Sequence, residues 1–75
     1  MKVKVRRMKN RDIPKVQKVA NISWRSTYDG IIPEHIQENF LLNAYHESVL
    51  KKRRRKTHFY IAESEGEIVG FATYS

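Results

Sequence analysis

The side chains able to do chemistry in this chain are few, and their spacing excludes most of what they could do. Histidines stand at positions 35, 46 and 58. His46-Glu47-Ser48-Val49-Leu50 begins like the helical pattern in which two imidazoles four residues apart grip zinc, but Leu50 occupies the place of the second imidazole. The histidines lie eleven and twelve residues apart with no carboxylate at ligand spacing, so no metal site is expected. The chain has no cysteine and no Gly-x-Ser-x-Gly, which removes the thiol and the commonest serine nucleophile. Gly66 and Gly70 precede no helix and cannot form a phosphate loop. Glu63, Glu65 and Glu67 cluster about a turn, where acidic groups are usually only solvated; Glu63, at a strand end, is the best placed of them to act as a base.

Charge is the other chemical resource. Residues 1–18 carry +7, residues 19–50 carry −3, Lys51-Lys52-Arg53-Arg54-Arg55-Lys56 carries +6 and residues 57–75 carry −3, for a net +7. The basic run can neutralise phosphates, giving salt-dependent binding to nucleic acid or another polyanion. Its bland reading is a solvated helix end, where the macrodipole favours cations and the long stems cover apolar surface. No aromatic is interleaved in the run to stack on bases, which weighs against specific nucleic-acid contact.

Seventy-five residues allow one small domain with a marginal core, and without cysteine or a metal set, oligomerisation is the remaining usual support. Hydrophobic content of 40 % with 11 % aromatics is too rich for a disordered tail. No apolar run approaches the ~20 residues that span a bilayer, and no signal-peptide core follows the basic start, so the expected location is the cytoplasm, without membrane attachment.

Val3 and Val5 alternate with Lys2, Lys4 and Arg6, the period of a strand near a sheet edge. Asp12 precedes Pro14, and Ile13, Val16, Ala20 and Trp24 recur at helical steps, predicting an amphipathic helix over Ile13–Tyr28 that stops at Asp29-Gly30. Pro33 is placed to open a second helix, with Ile36 and Phe40 on one face. Asn43 can cap a third segment, with Tyr45 and Val49 sharing a face and the basic run last. Residues 58–62 and 68–74 predict a β-hairpin turning at Gly66. Strict alternation puts Ile68, Ala72 and Tyr74 on one face and Val69 and Phe71 on the other, so the last strand reads as a central one, covered on both sides. The helices can cover one face of such a sheet. The rest of the chain offers nothing for the second face or for the free edge of residues 68–74.

Val5-Arg6, Asp12, Ser23-Trp24-Arg25-Ser26-Thr27-Tyr28-Asp29-Gly30-Ile31-Ile32-Pro33, Phe59-Tyr60-Ile61-Ala62-Glu63 and Gly66-Glu67-Ile68-Val69-Gly70-Phe71-Ala72 together resemble the amino-terminal half of a GNAT-superfamily N-acetyltransferase. The resemblance covers essentially the whole chain. It implies an α/β fold of the α+β type, ordered strand-helix-helix-strand-strand with an antiparallel sheet, in which residues 1–75 are the amino-terminal part of a single acyl-CoA N-acyltransferase domain. The activity implied is direct transfer of an acetyl group from acetyl-CoA, as co-substrate and without metal, to a primary amine of a small molecule, amino acid, peptide or protein. In the family, fourth-strand amides hold the pantetheine arm, an Arg/Gln-x-x-Gly-x-Gly/Ala helix start cradles the pyrophosphate, and a later Tyr often protonates the thiolate. None of these is present here, so the resemblance implies a chain that lacks the carboxy-terminal half and is inactive alone, with no cofactor-binding residue and no assignable catalytic residue of its own.

On the acceptor side the resemblance implicates Trp24, Tyr28, Ile31, Ile32 and Pro33 around the first interhelical loop, with Phe71 and Thr73 from the third strand. Trp24 also lies on the buried stripe of its helix, where plain core packing would account for it. The implied partners are an amine acceptor and, through the last strand, either a second copy in a homodimer or the missing carboxy-terminal half. The competing readings are a small basic module binding nucleic acid or polyanion through Lys51–Lys56, and a non-catalytic remnant that dimerises through its last strand.

Overall fold

The structure, a computed structural model, describes residues 2–75. Strand β1 (Lys4–Arg7) leads through a short 3₁₀ turn (Asn10–Asp12) into α1 (Ile13–Tyr28), α2 (Glu34–Ala44) and α3 (Glu47–Lys56), followed by the hairpin β2 (His58–Ser64) and β3 (Glu67–Tyr74). The sheet is antiparallel, in the order β1-β2-β3. Three helices and this sheet make a mixed α/β fold of the expected class.

Helix α1 forms where the 3.6-residue period asks for it. Ile13, Val16 and Ala20 are buried along one stripe, and Pro14 sits in the first turn, where its missing N–H costs nothing. The helix stops because Gly30 takes φ +81°, while the N–H groups of Ile31 and Ile32 both return to the Tyr28 carbonyl. Asp12 does not cap α1. Its carboxylate turns back to β1, accepting from Arg6 Nη1 at 2.9 Å and Nη2 at 3.0 Å and from the Lys9 N–H at 2.8 Å.

Helices α2 and α3 are separate, broken at Tyr45-His46, and the cap of α3 is His46 rather than Asn43, its Nδ1 accepting from the Ser48 N–H. Pro33 is the residue before α2 rather than its first turn. The buried face of α2 is also rotated from the expected one: Gln37 and Leu41 are inside, whereas Ile36 and Phe40 are 49 % and 44 % exposed. The Gln37 amide explains the rotation. Its Nε2 donates to the Ile32 carbonyl at 2.8 Å and to Asp29 Oδ1 at 3.2 Å, supplying the α1–α2 loop with a donor that no apolar residue could. In α3 the anchor is Leu50, fully buried, one residue beyond the expected Val49.

The core joins Met8, Ile13, Val16, Leu50, Phe59 and Ile61, with Tyr45, Ile68 and Phe71 packed against it. Its members come from the segment after β1, the first turns of α1 and α3 and the inward face of β2, so one apolar cluster ties these helices to a single side of the sheet. At the hairpin, Glu65 and Gly66 both have positive φ, 52° and 80°, the signature of the two-residue type I′ turn whose twist matches antiparallel strands.

Strict alternation fails in β3. Ala62 pairs with Gly70 but Glu63 pairs with Ile68, so a bulge at Val69 adds one residue and inverts the parity. Ile68 and Phe71 therefore both face the helices, while Ala72 and Tyr74 face away. Nor is β3 central among the described residues: it is an edge strand, with Val69 55 % and Tyr74 58 % exposed. The face turned from the helices carries Val5, Arg7, His58, Tyr60, Ala62, Ala72 and Tyr74 in register, and none of the described helices packs on it.

Candidate functional site

A groove runs between the carboxy-terminal half of α1 and the free edge of β3. One side is Ala20, Ser23, Trp24, Thr27 and Tyr28 of α1; the other is Val69, Gly70 and Phe71, enclosing about 350 Å³. The helical spacing of 20, 24 and 28 turns Trp24 and Tyr28 toward the sheet. The bulge swings Val69 out beside α1, while the backbone before Phe71 stays extended with no strand on its outer side.

Aromatic packing sets the walls. Trp24 stacks on Phe40 of α2 at 4.2 Å between ring centroids and leans on Tyr28 at 4.4 Å. Phe71 lies 5.7 Å from Phe59 and meets Tyr45 edge-on at 6.0 Å. Trp24 is thus an interhelical packing residue whose other flank lines the groove. Its Nε1–H is buried without a protein acceptor, a cost of about 1–3 kcal/mol for an unmade hydrogen bond. No carboxylate or imidazole lines the groove, so it can hold an extended or partly apolar group but offers no carboxylate or imidazole base.

The other residues implicated from sequence are elsewhere. Ile31, Ile32 and Pro33 line a separate cavity of about 520 Å³ with Arg25, Asp29 and Gln37, and Ile31 is 75 % exposed. Thr73 is on the helix side of β3, but its hydroxyl accepts from Arg53 Nη2 at 3.3 Å, further along the strand than the groove. Trp24, Tyr28 and Phe71 are thus brought together, and Ile31, Ile32 and Thr73 are not.

Two electrostatic features were not visible as such in the sequence. Arg6 bridges Asp12 and Glu63, the latter at 3.2 Å, so Glu63 is held as an ion-pair partner under the sheet. The guanidinium keeps the Asp12 carboxyl below the usual carboxylate range, and the two acids in turn push the Arg6 pKa up. The basic run, moreover, is not uniformly a solvated end. Arg53 lies over the Phe59 ring at 5.3 Å and the Tyr45 ring at 5.9 Å, and Arg54 Nε donates to the Met8 carbonyl at 3.0 Å. Arg54 is otherwise exposed, as are Lys52, Arg55 and Lys56. The i, i+3 offset from buried Leu50 to Arg53 is the signal from which its inward turn could have been read.

The described residues do not suit a coenzyme A pyrophosphate. A helix start that cradles phosphate needs open N–H groups and no negative charge. Here α2 and α3 begin with Glu34 and Glu47, and the first turn of α1 holds Pro14. Among the described residues there is no group of three or more His, Cys, Asp or Glu able to hold a metal ion, and no helix is long and apolar enough to cross a membrane.

The chain superposes on the PaiA N-acetyltransferase from Thermoplasma acidophilum, solved in complex with coenzyme A, with a TM-score of 0.88 and 25 % sequence identity. The match takes in 95 % of this chain and 48 % of that one, so the chain spans about half the length of the protein it resembles. No protein-family model and no curated protein sequence matches it. The strand, three helices and hairpin are thus half of a GNAT-type fold, and the likeness is to an acetyltransferase.

Proposed function

We propose that this chain is the acceptor-side half of an N-acetyltransferase that transfers an acetyl group from acetyl-CoA to a primary amine. The observation that carries the reading is the superposition on a coenzyme A-bound N-acetyltransferase over nearly the whole chain. Placement of Trp24, Tyr28 and Phe71 around one groove beside an unpaired strand edge supports it. In this reading the groove orients the body of the acceptor, and the reacting amine sits near the outer edge of β3.

The work of these residues is positioning. Aromatic walls exclude water from one side of the acceptor, and the rigid α1–β3 pair holds it in place, which is the entropic share of catalysis. The chain's own residues supply neither a carboxylate or imidazole base in the groove nor a seat for the pyrophosphate. Acetyl-CoA and the donors that polarise its thioester belong to polypeptide that pairs with the β3 edge, from the carboxy-terminal half of such a domain. Completing the sheet there also removes the aggregation hazard of an eight-residue open edge.

The test is acetyl-CoA-dependent thiol release with a panel of polyamines, amino acids and peptides. It compares the chain alone with the chain co-expressed with a carboxy-terminal half of the same fold. The expected result is turnover only in the paired form, with Tyr28→Ala raising KM for the amine and leaving that for acetyl-CoA unchanged. A folded, paired protein that neither binds acetyl-CoA nor releases thiol would overturn the proposal.

A further inference from the structure

The loop between α1 and α2 is held by polar ties rather than by apolar burial. Asp29, Gly30, Ile31, Pro33 and Glu34 are exposed and Ile32 is half-buried, so the segment buries little apolar area of its own. Its backbone turns back on α1 through the Ile31 and Ile32 N–H groups, both 3.0 Å from the Tyr28 carbonyl. It joins α2 through the Ile36 and Gln37 N–H groups, both 3.1 Å from the Pro33 carbonyl. Two side chains then cross it. On the outside Arg25 Nη1 donates to Glu34 Oε1 at 3.3 Å, a solvated pair of small worth. On the inside is Gln37, 1 % exposed.

All of the donor capacity of Gln37 goes to this loop. Its Nε2 lies 2.8 Å from the Ile32 carbonyl, 3.2 Å from Asp29 Oδ1 and 3.4 Å from the Tyr28 carbonyl. An amide NH₂ has two hydrogens, so the first two acceptors take them and the third is a long, shared contact. The other end of the amide, Oε1, is buried and meets no donor from the protein. An unmet buried acceptor costs more than an ordinary hydrogen bond returns, so a methionine of similar length would fill this position at little loss to the fold. A buried amide kept at such a cost marks a place where geometry matters more than stability.

What the placement of the loop governs is the wall of the groove. Tyr28 is the last residue of α1; both loop N–H groups converge on its carbonyl, while its ring lines the groove and leans on Trp24. Trp24 in turn stacks on Phe40, about one turn beyond Gln37 in α2. Helix α2 thus grips the aromatic wall at two points, by an apolar contact at Phe40 and a polar one at Gln37.

We propose that Gln37 is a positioning residue for the acceptor: by tying down the α1–α2 loop from beneath, its amide fixes the last turn of α1 and with it the Tyr28 ring against which the body of the amine packs. The role rests on the acetyltransferase reading, since Gln37 acts through its neighbours and not by contact with a substrate.

The experiment measures kcat and both KM values in the paired protein, for Gln37→Met, for Gln37→Glu and, as comparison, for Asn39→Ala, an exposed position on the other side of α2. Gln37→Met keeps the reach and bulk of the side chain and removes its donors. It should raise KM for the amine about three- to tenfold, as for one or two lost hydrogen bonds. Its kcat and its KM for acetyl-CoA should change less than about twofold, and its thermal midpoint by less than about 3 °C. Gln37→Glu adds a pH signature. Its carboxylate cannot donate and faces the Ile32 carbonyl and Asp29, with Glu34 across the same cavity and Arg25 as the cation there; the neutral acid regains one O–H donor. The amine KM of Gln37→Glu, relative to the parent at the same pH, should therefore fall as pH falls, whereas that of Gln37→Met should not. Asn39→Ala should stay within about twofold of the parent. An unchanged amine KM in Gln37→Met, both KM values and the thermal midpoint moving together, or a Gln37→Glu ratio indifferent to pH would each overturn the proposal and leave the acetyltransferase reading in place. A parent pair without turnover would overturn that reading and this role with it.

Discussion

Replacing Asp12 with asparagine tests whether the Arg6 network holds β1 and the first turn onto the sheet. The Asp12 carboxylate is 6 % exposed and accepts three hydrogen bonds, two from Arg6 and one from the Lys9 N–H. An amide keeps the shape, but it removes the charge and turns an NH₂ toward a donor or the backbone. Breaking a buried pair costs about 3–5 kcal/mol, and Arg6, at 22 % exposure, can recover some hydration, so the loss should be about 2–3 kcal/mol. A domain of this size has about 4–11 kcal/mol in all at 0.05–0.15 kcal/mol per residue. The variant should therefore lose a large fraction of its stability, moving the urea midpoint by about 2–3 M if the slope is near 1 kcal/mol/M. Trp24 fluorescence reports the transition. Glu63→Gln is the internal comparison: one bond at 3.2 Å between partly exposed partners is worth less than about 1 kcal/mol. The pH dependence carries its own sign. Because Arg6 holds the folded Asp12 pKa down, its contribution is fully present above the unfolded value near pH 4 and is lost as pH falls through the folded value. Asp12→Asn should flatten that acid limb. An asparagine variant within about 0.5 kcal/mol of the parent, or no more affected than Glu63→Gln, would refute the assignment of the network as structural.

Two further outcomes follow from packing and backbone geometry. Leu50→Ala should cost about 2–5 kcal/mol, since the side chain is fully buried between α3 and the sheet, whereas Leu42→Ala, 63 % exposed, should stay within about 0.5 kcal/mol in the same thermal melt. In the hairpin, Gly66→Ala should destabilise by about 1 kcal/mol from its positive φ alone, because a Cβ there meets nothing, and Glu65→Asn should stabilise by roughly 0.5–1 kcal/mol by suiting the left-handed position. Gly70→Ala, with open space and no positive φ, should be neutral or slightly stabilising; equal losses at 66 and 70 would contradict the turn assignment.

Local periodicity was enough for the order of elements, for α1 to its end residues and for the hairpin, because each depends on near neighbours: a stripe at steps of three and four, a proline in a first turn, a glycine at positive φ. Gathering Trp24, Tyr28 and Phe71 at one groove was anticipated through the family resemblance rather than through any local rule. What the chain could not announce in one dimension was decided by contacts across it. A bulge at Val69 reverses the faces of β3, and no composition marks where one extra residue will be absorbed. Asp12 turns its carboxylate back to Arg6 on β1 rather than to the start of α1, and Gln37 takes the interior in place of Ile36, its Nε2 donating to the Ile32 carbonyl and Asp29 Oδ1 of the α1–α2 loop. Arg53 folds inward over Phe59, and Arg7, His58, Tyr60 and Tyr74 meet only because antiparallel pairing carries residues some fifty positions apart to the same end of the sheet. Polar and charged groups choose partners by distance in space, and for those the fold, rather than the spacing along the chain, made the decision.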